Sequence, residues 1–174
     1  IAVEKETVFI ICSPPHLHFS QAKKIINSGY HLFIEKPITT KLNHLKKIIS
    51  LSNSNNAFFV ENLMYKYSNF YDTFINFWKK NKGNIKKIKI SFIIPSIPEK
   101  SFRTKSNEFP VNIYDIGCYI VSLINDLEAA PKIRIENIIN KKDIDKEIIE
   151  ARSEVNSVEV KTTFGFGNGS ALPE

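Results

Sequence analysis

TVFIICSPPHLHFSQAKKIINSGYHLFIEKP, residues 7–37, decides the fold. Residues 7–12 form a continuous apolar run of strand length, the pattern of a strand buried on both faces. Ser13-Pro14-Pro15 ends that run. Phe19, Ala22, Ile25 and Ile26 then recur at helical spacing, and Gly29 stands where a left-handed residue closes a helix. Residues 30–34 are a second apolar strand, broken off by Glu35-Lys36-Pro37. Beyond it, Thr39 or Thr40 can cap a helix whose apolar positions are Leu42, Leu45, Ile48 and Ile49. Residues 57–60, AFFV, are a third strand. Strand, helix, strand, helix, strand with short connections implies a parallel sheet with right-handed crossovers.

After Val60 the texture changes. Phe70, Phe74, Phe77 and Trp78 predict a helix ending near Gly83. Residues 85–94, IKKIKISFII, alternate Ile88, Ile90, Phe92 and Ile94 with Lys87, Lys89 and Ser91. One wet face is the mark of an antiparallel sheet. Residues 111–127 read as a helix, 132–139 as a strand, and 157–166 as another alternating strand. Gly167-Asn168-Gly169 is a hairpin turn signal. Residues 141–154, KKDIDKEIIEARSE, read as a charged loop or short helix. The expected organisation is the rear half of a parallel α/β domain over 1–62, then the front of an α+β domain over 63–174. The boundary falls near 62–66, and the chain reads as a piece of a longer protein.

Composition narrows the function. The chain has 174 residues, a net charge of +6 and 43% hydrophobic residues. Its basic residues are nearly all lysine; only Arg103, Arg134 and Arg152 carry the guanidinium fork that phosphate and base readout favour. A Lys-rich solvated surface is expected, not a nucleic-acid interface. No apolar run approaches the ~18 residues of a membrane span and no signal segment opens the chain, so a soluble, cytoplasmic protein is expected. Cys12 and Cys118 lie in apolar settings without a CxxC partner, which predicts two buried free thiols. His16 and His18 have no Cys or carboxylate at ligand spacing, so no metal is expected.

In an open parallel sheet, ligands bind beyond the carboxyl ends of the strands. Three such ends occur: Ser13 to His18, Glu35-Lys36-Pro37, and Glu61 to Tyr65. An ammonium at Lys36 can donate to a substrate oxygen, stabilise a developing alkoxide or pass a proton. Pro37 fixes its own φ and biases Lys36 toward an extended backbone. Asp115 and Tyr119 are four apart on the helix expected at 111–127, which puts both on one face. The phenol of Tyr119 can donate or accept a proton, and Asp115 can tune it. The plainer alternatives are a salt bridge at a strand end, and a helix-start Asp with a half-buried core Tyr.

CSPPHLHFSQAKKIINSGYHLFIEKPIT, 12–39, resembles the glucose–fructose oxidoreductase / inositol dehydrogenase / MocA family. ENLMYKY, 61–67, is similar to that family's segment after its last parallel strand, with Lys66 where Arg is usual. FRTKSNEFPVNIYDIGCY, 102–119, resembles its Asp-x-Gly-x-Tyr segment, in the form typical of the dihydrodiol and xylose dehydrogenase branch. The resemblance covers about 7–127, more weakly to 166. It implies a Rossmann-type sheet followed by a mostly antiparallel domain. It also implies an NAD- or NADP-dependent oxidoreductase acting on a secondary alcohol or ketone of a sugar-like or nucleotide-sugar substrate. By analogy Lys36 and Tyr119 handle the proton, Asp115 supports them, and Ser13, Pro14, His18, Glu35, Lys36 and Pro37 line the dinucleotide. A homo-oligomer paired through the antiparallel sheet is expected. Two features depart from the pattern. The family's glycine run before its Asp is replaced by Glu108-Phe109-Pro110-Val111-Asn112. No GxGxxG occurs, so this stretch by itself is expected to bind dinucleotide poorly. The other reading is a non-catalytic sugar- or dinucleotide-sensing scaffold of the same fold.

Overall fold

The computed structural model describes residues 7–95, 112–128, 132–140 and 147–166. The chain divides into two compact units, Ile1–Lys66 and Tyr67–Glu174.

The first unit runs β1 (Val8–Ile11), α1 (Pro15–Asn27), β2 (His31–Glu35), α2 (Leu42–Asn55) and β3 (Phe59–Asn62). The sheet order is β1-β2-β3, and both pairings are parallel. Pro15 opens α1 at a position where its missing N–H costs nothing. Gly29, at φ 77°, closes it. Its N–H donates to Ile26 O at 2.9 Å while that of Tyr30 donates to Ile25 O at 3.2 Å. This is the paired closure that a left-handed glycine permits. The helices cover one face of the sheet: Ile26 and Ile48 pack with Leu32 and Ile34, all four fully buried. Each such side chain contributes about 1.5–3 kcal/mol by leaving water.

Three expectations are corrected here. β1 is buried on one face only: Val8 is 41% and Ile10 72% exposed, and Ile10 sits beside the exposed Phe33 in register. α2 has no side-chain cap; it starts after Lys41, whose N–H donates to Thr39 Oγ1 at 3.2 Å. β3 runs two residues past AFFV, so Glu61 and Asn62 are strand residues, with Asn62 beside Glu35.

The second unit contains α3 (Asn69–Asn81), β4 (Lys87–Ile94), a π-helical turn (Asn112–Ile116), α4 (Gly117–Leu127), β5 (Lys132–Asn140), β6 (Glu147–Val155) and β7 (Val158–Phe166). Ser68 caps α3, its Oγ accepting from Tyr71 N–H at 3.2 Å. The sheet order is β4-β7-β6-β5, antiparallel except for β4–β7, which is parallel. Trp78, Ile120, Ile124 and Leu127 form the core with Val158, Val160 and Phe164. The stretch expected as a charged loop or short helix holds most of β6. Its Ala151, Ser153 and Val155 face inward while Arg152 and Glu154 are exposed. A two-residue turn joins β6 to β7, with Asn156 at φ 48° and Ser157 at φ 64°. Both central residues being left-handed matches the twist of the hairpin. The Gly167-Asn168-Gly169 signal lies outside the described residues. On the outward face, Lys87, Glu159, Arg152 and Glu136 form a ladder of ion pairs. Among the described residues no helix is long and apolar enough to cross a membrane.

Candidate functional site

Because β1, β2 and β3 are parallel, their carboxyl ends share one edge, and each supplies part of it. Beyond β1, Ser13 Oγ donates to Gln21 Oε1 of α1 at 2.6 Å. Beyond β2, Glu35, Lys36 and Pro37 form a turn whose Lys36–Pro37 peptide is cis. At the end of β3, Asn62 Nδ2 donates to Glu35 Oε1 at 2.5 Å, and Glu61 Oε1 accepts from Ile38 N–H at 2.7 Å. Lys36 thus has a pinned neighbour on each side. It is half-buried, while Pro37 is buried.

His18 is fully buried on α1. Its Nδ1 lies 2.8 Å from Pro37 O and its Nε2 2.7 Å from Ser13 O. Both partners are acceptors. A ring protonated on both nitrogens donates to both; a ring with one proton donates to one of them. Either way His18 has no polar atom left to face a ligand. Ser13, Pro14, Glu35 and Lys36 are partly exposed along the edge, so their chemistry fits the wall of a dinucleotide site. Cys12, expected buried, is exposed at this edge, and Cys118 is half-buried; both are free thiols.

The other predicted site residues belong to the second unit. Asp115 is buried, at 8% exposure, and lies in the π-helical turn, not in an α-helix. The regular α-helical spacing to Tyr119 is therefore not kept, because a π-to-α transition separates the two. Asp115 O accepts from Cys118 Sγ at 3.6 Å. Tyr119 is half-buried, its ring edge-on to Phe92 of β4 with centroids 5.4 Å apart. Nearby, Tyr71 of α3 donates its hydroxyl to Asp126 of α4 at 2.9 Å. Burial, then the hydrogen bond and charge of Asp126, then the charge of Asp72, push the Tyr71 phenol up to about 12. Among the described residues no three His, Cys, Asp or Glu side chains gather as a metal would require.

Sequence reasoning placed Glu61 and Asn62 at this edge but gave neither a role. Glu61 reads as an acid just past a strand, yet it holds Ile38. Asn62 reads as loop, yet it holds Glu35. The available signal was their position opposite Glu35-Lys36-Pro37, once β3 is extended by two residues.

Residues 2–63 match the family described as "Oxidoreductase family, NAD-binding Rossmann fold" (Gfo/Idh/MocA). The match covers nearly the whole of the parallel unit and does not extend into the second unit. The cofactor class named in that family's description is a nicotinamide dinucleotide, NAD. A dTDP-3,4-didehydro-2,6-dideoxy-alpha-D-glucose 3-reductase of Saccharopolyspora spinosa is 23% identical over 107 residues, 61% of this chain and 32% of that enzyme. A 3-ketoreductase from Actinomadura kijaniata, crystallised with TDP-benzene and NADP, superposes with a TM-score of 0.73 at 19% identity, over 94% of this chain and 51% of that one. The myo-inositol 2-dehydrogenase of Lactobacillus plantarum gives a TM-score of 0.74 at 18% identity, over 91% of this chain and 50% of that one. These structures share the fold. The chain spans about half the length of those solved structures, and its match covers about a third of the Saccharopolyspora reductase.

Proposed function

We propose that the protein is an NAD(P)-dependent oxidoreductase acting on a secondary alcohol or ketone of a sugar-like or nucleotide-sugar substrate. The observation that carries the reading is the Lys36 turn, held on both flanks at the carboxyl edge of a family-matched parallel sheet. Bound nicotinamide would supply the hydride acceptor or donor. Lys36 would donate a hydrogen bond to the substrate oxygen and favour its anionic form. Tyr119 would give or take the hydroxyl proton, with Asp115 orienting it. Ser13, Pro14, Glu35 and Pro37 would wall the dinucleotide, and His18 would act from behind that wall. Sugar chemistry is supported by the printed activities of the similar proteins, one acting on a dTDP-linked keto sugar and one on myo-inositol. Self-association would use the outward face of the four-stranded sheet.

The test uses the complete protein with two probes: myo-inositol with NAD or NADP, and a dTDP-linked 3-keto deoxysugar with NADH or NADPH. Turnover of one is expected, and nicotinamide fluorescence should change on binding. No binding of either reduced cofactor would sink the reading. Lys36→Met should lower kcat about 10²–10⁴-fold with cofactor affinity little changed. Turnover within a few-fold of wild type would remove Lys36 from the proton chemistry.

A further inference from the structure

We propose that His18 and Glu61 together clamp one peptide group, the one joining Pro37 to Ile38, and that this clamp positions Lys36. The proposal rests on the reading of Lys36 given above. The two contacts are 2.8 Å from His18 Nδ1 to Pro37 O, and 2.7 Å from Ile38 N to Glu61 Oε1. The carbonyl and the amide they hold belong to the same peptide. One clamping group comes from α1, 19 residues before Pro37, and the other from β3, 23 residues after Ile38. The other ring nitrogen of His18 is anchored 2.7 Å from Ser13 O, at the end of β1. The ends of all three strands are thus joined through one imidazole and one carboxylate.

The clamp has a specific mechanical consequence. A peptide held at both its oxygen and its N–H cannot rotate about the bonds on either side. This fixes ψ at Pro37 and φ at Ile38, and with them the exit of the turn that carries Lys36. Removing either partner frees that rotation and leaves a polar atom of the peptide unpaired in a largely dry place. Pro37 is buried and Ile38 is 7% exposed, so water replaces the lost partner poorly. A displacement of about 1 Å at a reacting group can cost on the order of 10²-fold in rate. His18 and Glu61 are therefore positioning residues: they act through Lys36 and not on the substrate.

Isosteric substitutions separate this role from general packing. An Asn at 18 sets its amide nitrogen near the Nδ1 position, and a Gln sets it near Nε2. His18→Asn should keep kcat within about threefold of wild type, because it restores the bond to Pro37 O. His18→Gln and His18→Ala should lower kcat about thirtyfold or more, with the cofactor KM little changed. Glu61→Gln keeps an acceptor for Ile38 and should retain turnover; Glu61→Ala should not. Equal kcat for His18→Asn and His18→Ala would overturn the clamp, and should the Ala variant fail to fold, the Asn–Gln contrast decides the matter. Hydrogen exchange at the Ile38 amide reads the clamp without any turnover. It should quicken at least about tenfold in Glu61→Ala and stay slow in Glu61→Gln. Unchanged exchange in Glu61→Ala overturns the clamp. A protein that binds neither reduced cofactor while Glu61→Ala speeds exchange leaves the clamp standing and defeats the functional reading.

Discussion

Two carboxylates in this chain show opposite uses of the same chemistry. Glu61 has one backbone partner, the amide of Ile38 at 2.7 Å, in a largely buried turn. Glu159 has three side-chain partners on the outward face of the four-stranded sheet: Lys87 and Arg152 at 3.2 Å and Lys161 at 3.6 Å. Counting partners would make Glu159 the more important residue. The physics reverses that order. Glu159 is 34% exposed and the side chains around it are between 41% and 46% exposed, so water and salt compete for each of them. The amide of Ile38 has little water to fall back on, and its orientation fixes a turn. One bond in a dry place defines geometry, whereas three in a wet place leave a surface adjustable.

The largest effect expected from breaking this comparison lies beneath the turn. Ile34, the residue before Glu35, is fully buried against the helices. Ile34→Ala should cost about 2–5 kcal/mol of stability in the first unit, through lost burial and the cavity left behind. Circular dichroism during urea unfolding, together with amide exchange at Leu32, would measure it. Trp78, the only tryptophan of the chain, belongs to the second unit, and so offers a separate optical signal there. A loss below about 1 kcal/mol would mean that the floor of the turn collapses to fill the space, and that the pinned edge owes less to its core than argued.

These predictions also show which parts of the fold were legible beforehand. The register of α1 could be read because Ala22, Ile26 and Gly29 carry local information: spacing for the buried stripe, and the conformational freedom that a left-handed closure needs. The strand β6 was hidden because its inward residues include Ala151 and Ser153, too small and too polar to stand out between Glu150, Arg152 and Glu154. Its hairpin uses Asn156-Ser157 in place of a glycine pair, which weakened the turn signal further. The exposed face of β1 was misread for a different reason. A continuous apolar run looks the same whether both faces are covered or one.

The candidate edge was legible as a location and illegible as a mechanism. Parallel topology places Ser13, Lys36 and Glu61 together whatever their side chains do. What His18 and Glu61 hold could not be foreseen, because their partners are main-chain atoms, and a main-chain atom has no identity in a sequence. His18 read as a dinucleotide contact for its position after Ser13-Pro14. The structure shows it buried with two carbonyl partners, and the proposed clamp gives it a supporting place.

A middle-sized effect is expected at Tyr71, which resembles Glu61 in that its side chain ties two elements together. Its hydroxyl donates to Asp126, joining α3 to α4. The fold favours the protonated phenol, with burial the leading cause, so its pKa stands above the ordinary value of 10.0, at about 12. This contribution to stability is fully present below pH 10 and is lost as pH climbs toward 12. Tyr71→Phe should cost about 0.5–1.5 kcal/mol at neutral pH and should flatten the loss across that alkaline window. Trp78 fluorescence during unfolding at pH 8 and pH 11 would check both. An alkaline loss of equal size in the variant would assign it to another group.

Glu159 should give the smallest effect, and it is the sharpest test of the contrast with Glu61. The hydrogen bond from Lys87, aided by the charges of Lys161, Lys87 and Arg152, holds its carboxyl below the ordinary 4.5. A depressed carboxylate stabilises the fold above its ordinary value, and that contribution disappears as pH falls through the folded one. Glu159→Gln should therefore leave the unfolding midpoint near wild type at pH 7 in 0.15 M salt and lessen the acid loss below pH 4.5 at low salt. Added salt should shrink the difference between variant and wild type, because the ladder faces water. A large loss at pH 7 that survives high salt would mean that the ladder is shielded in the assembled protein. The outward face would then have to be treated as covered, and the ranking of the two carboxylates would reverse.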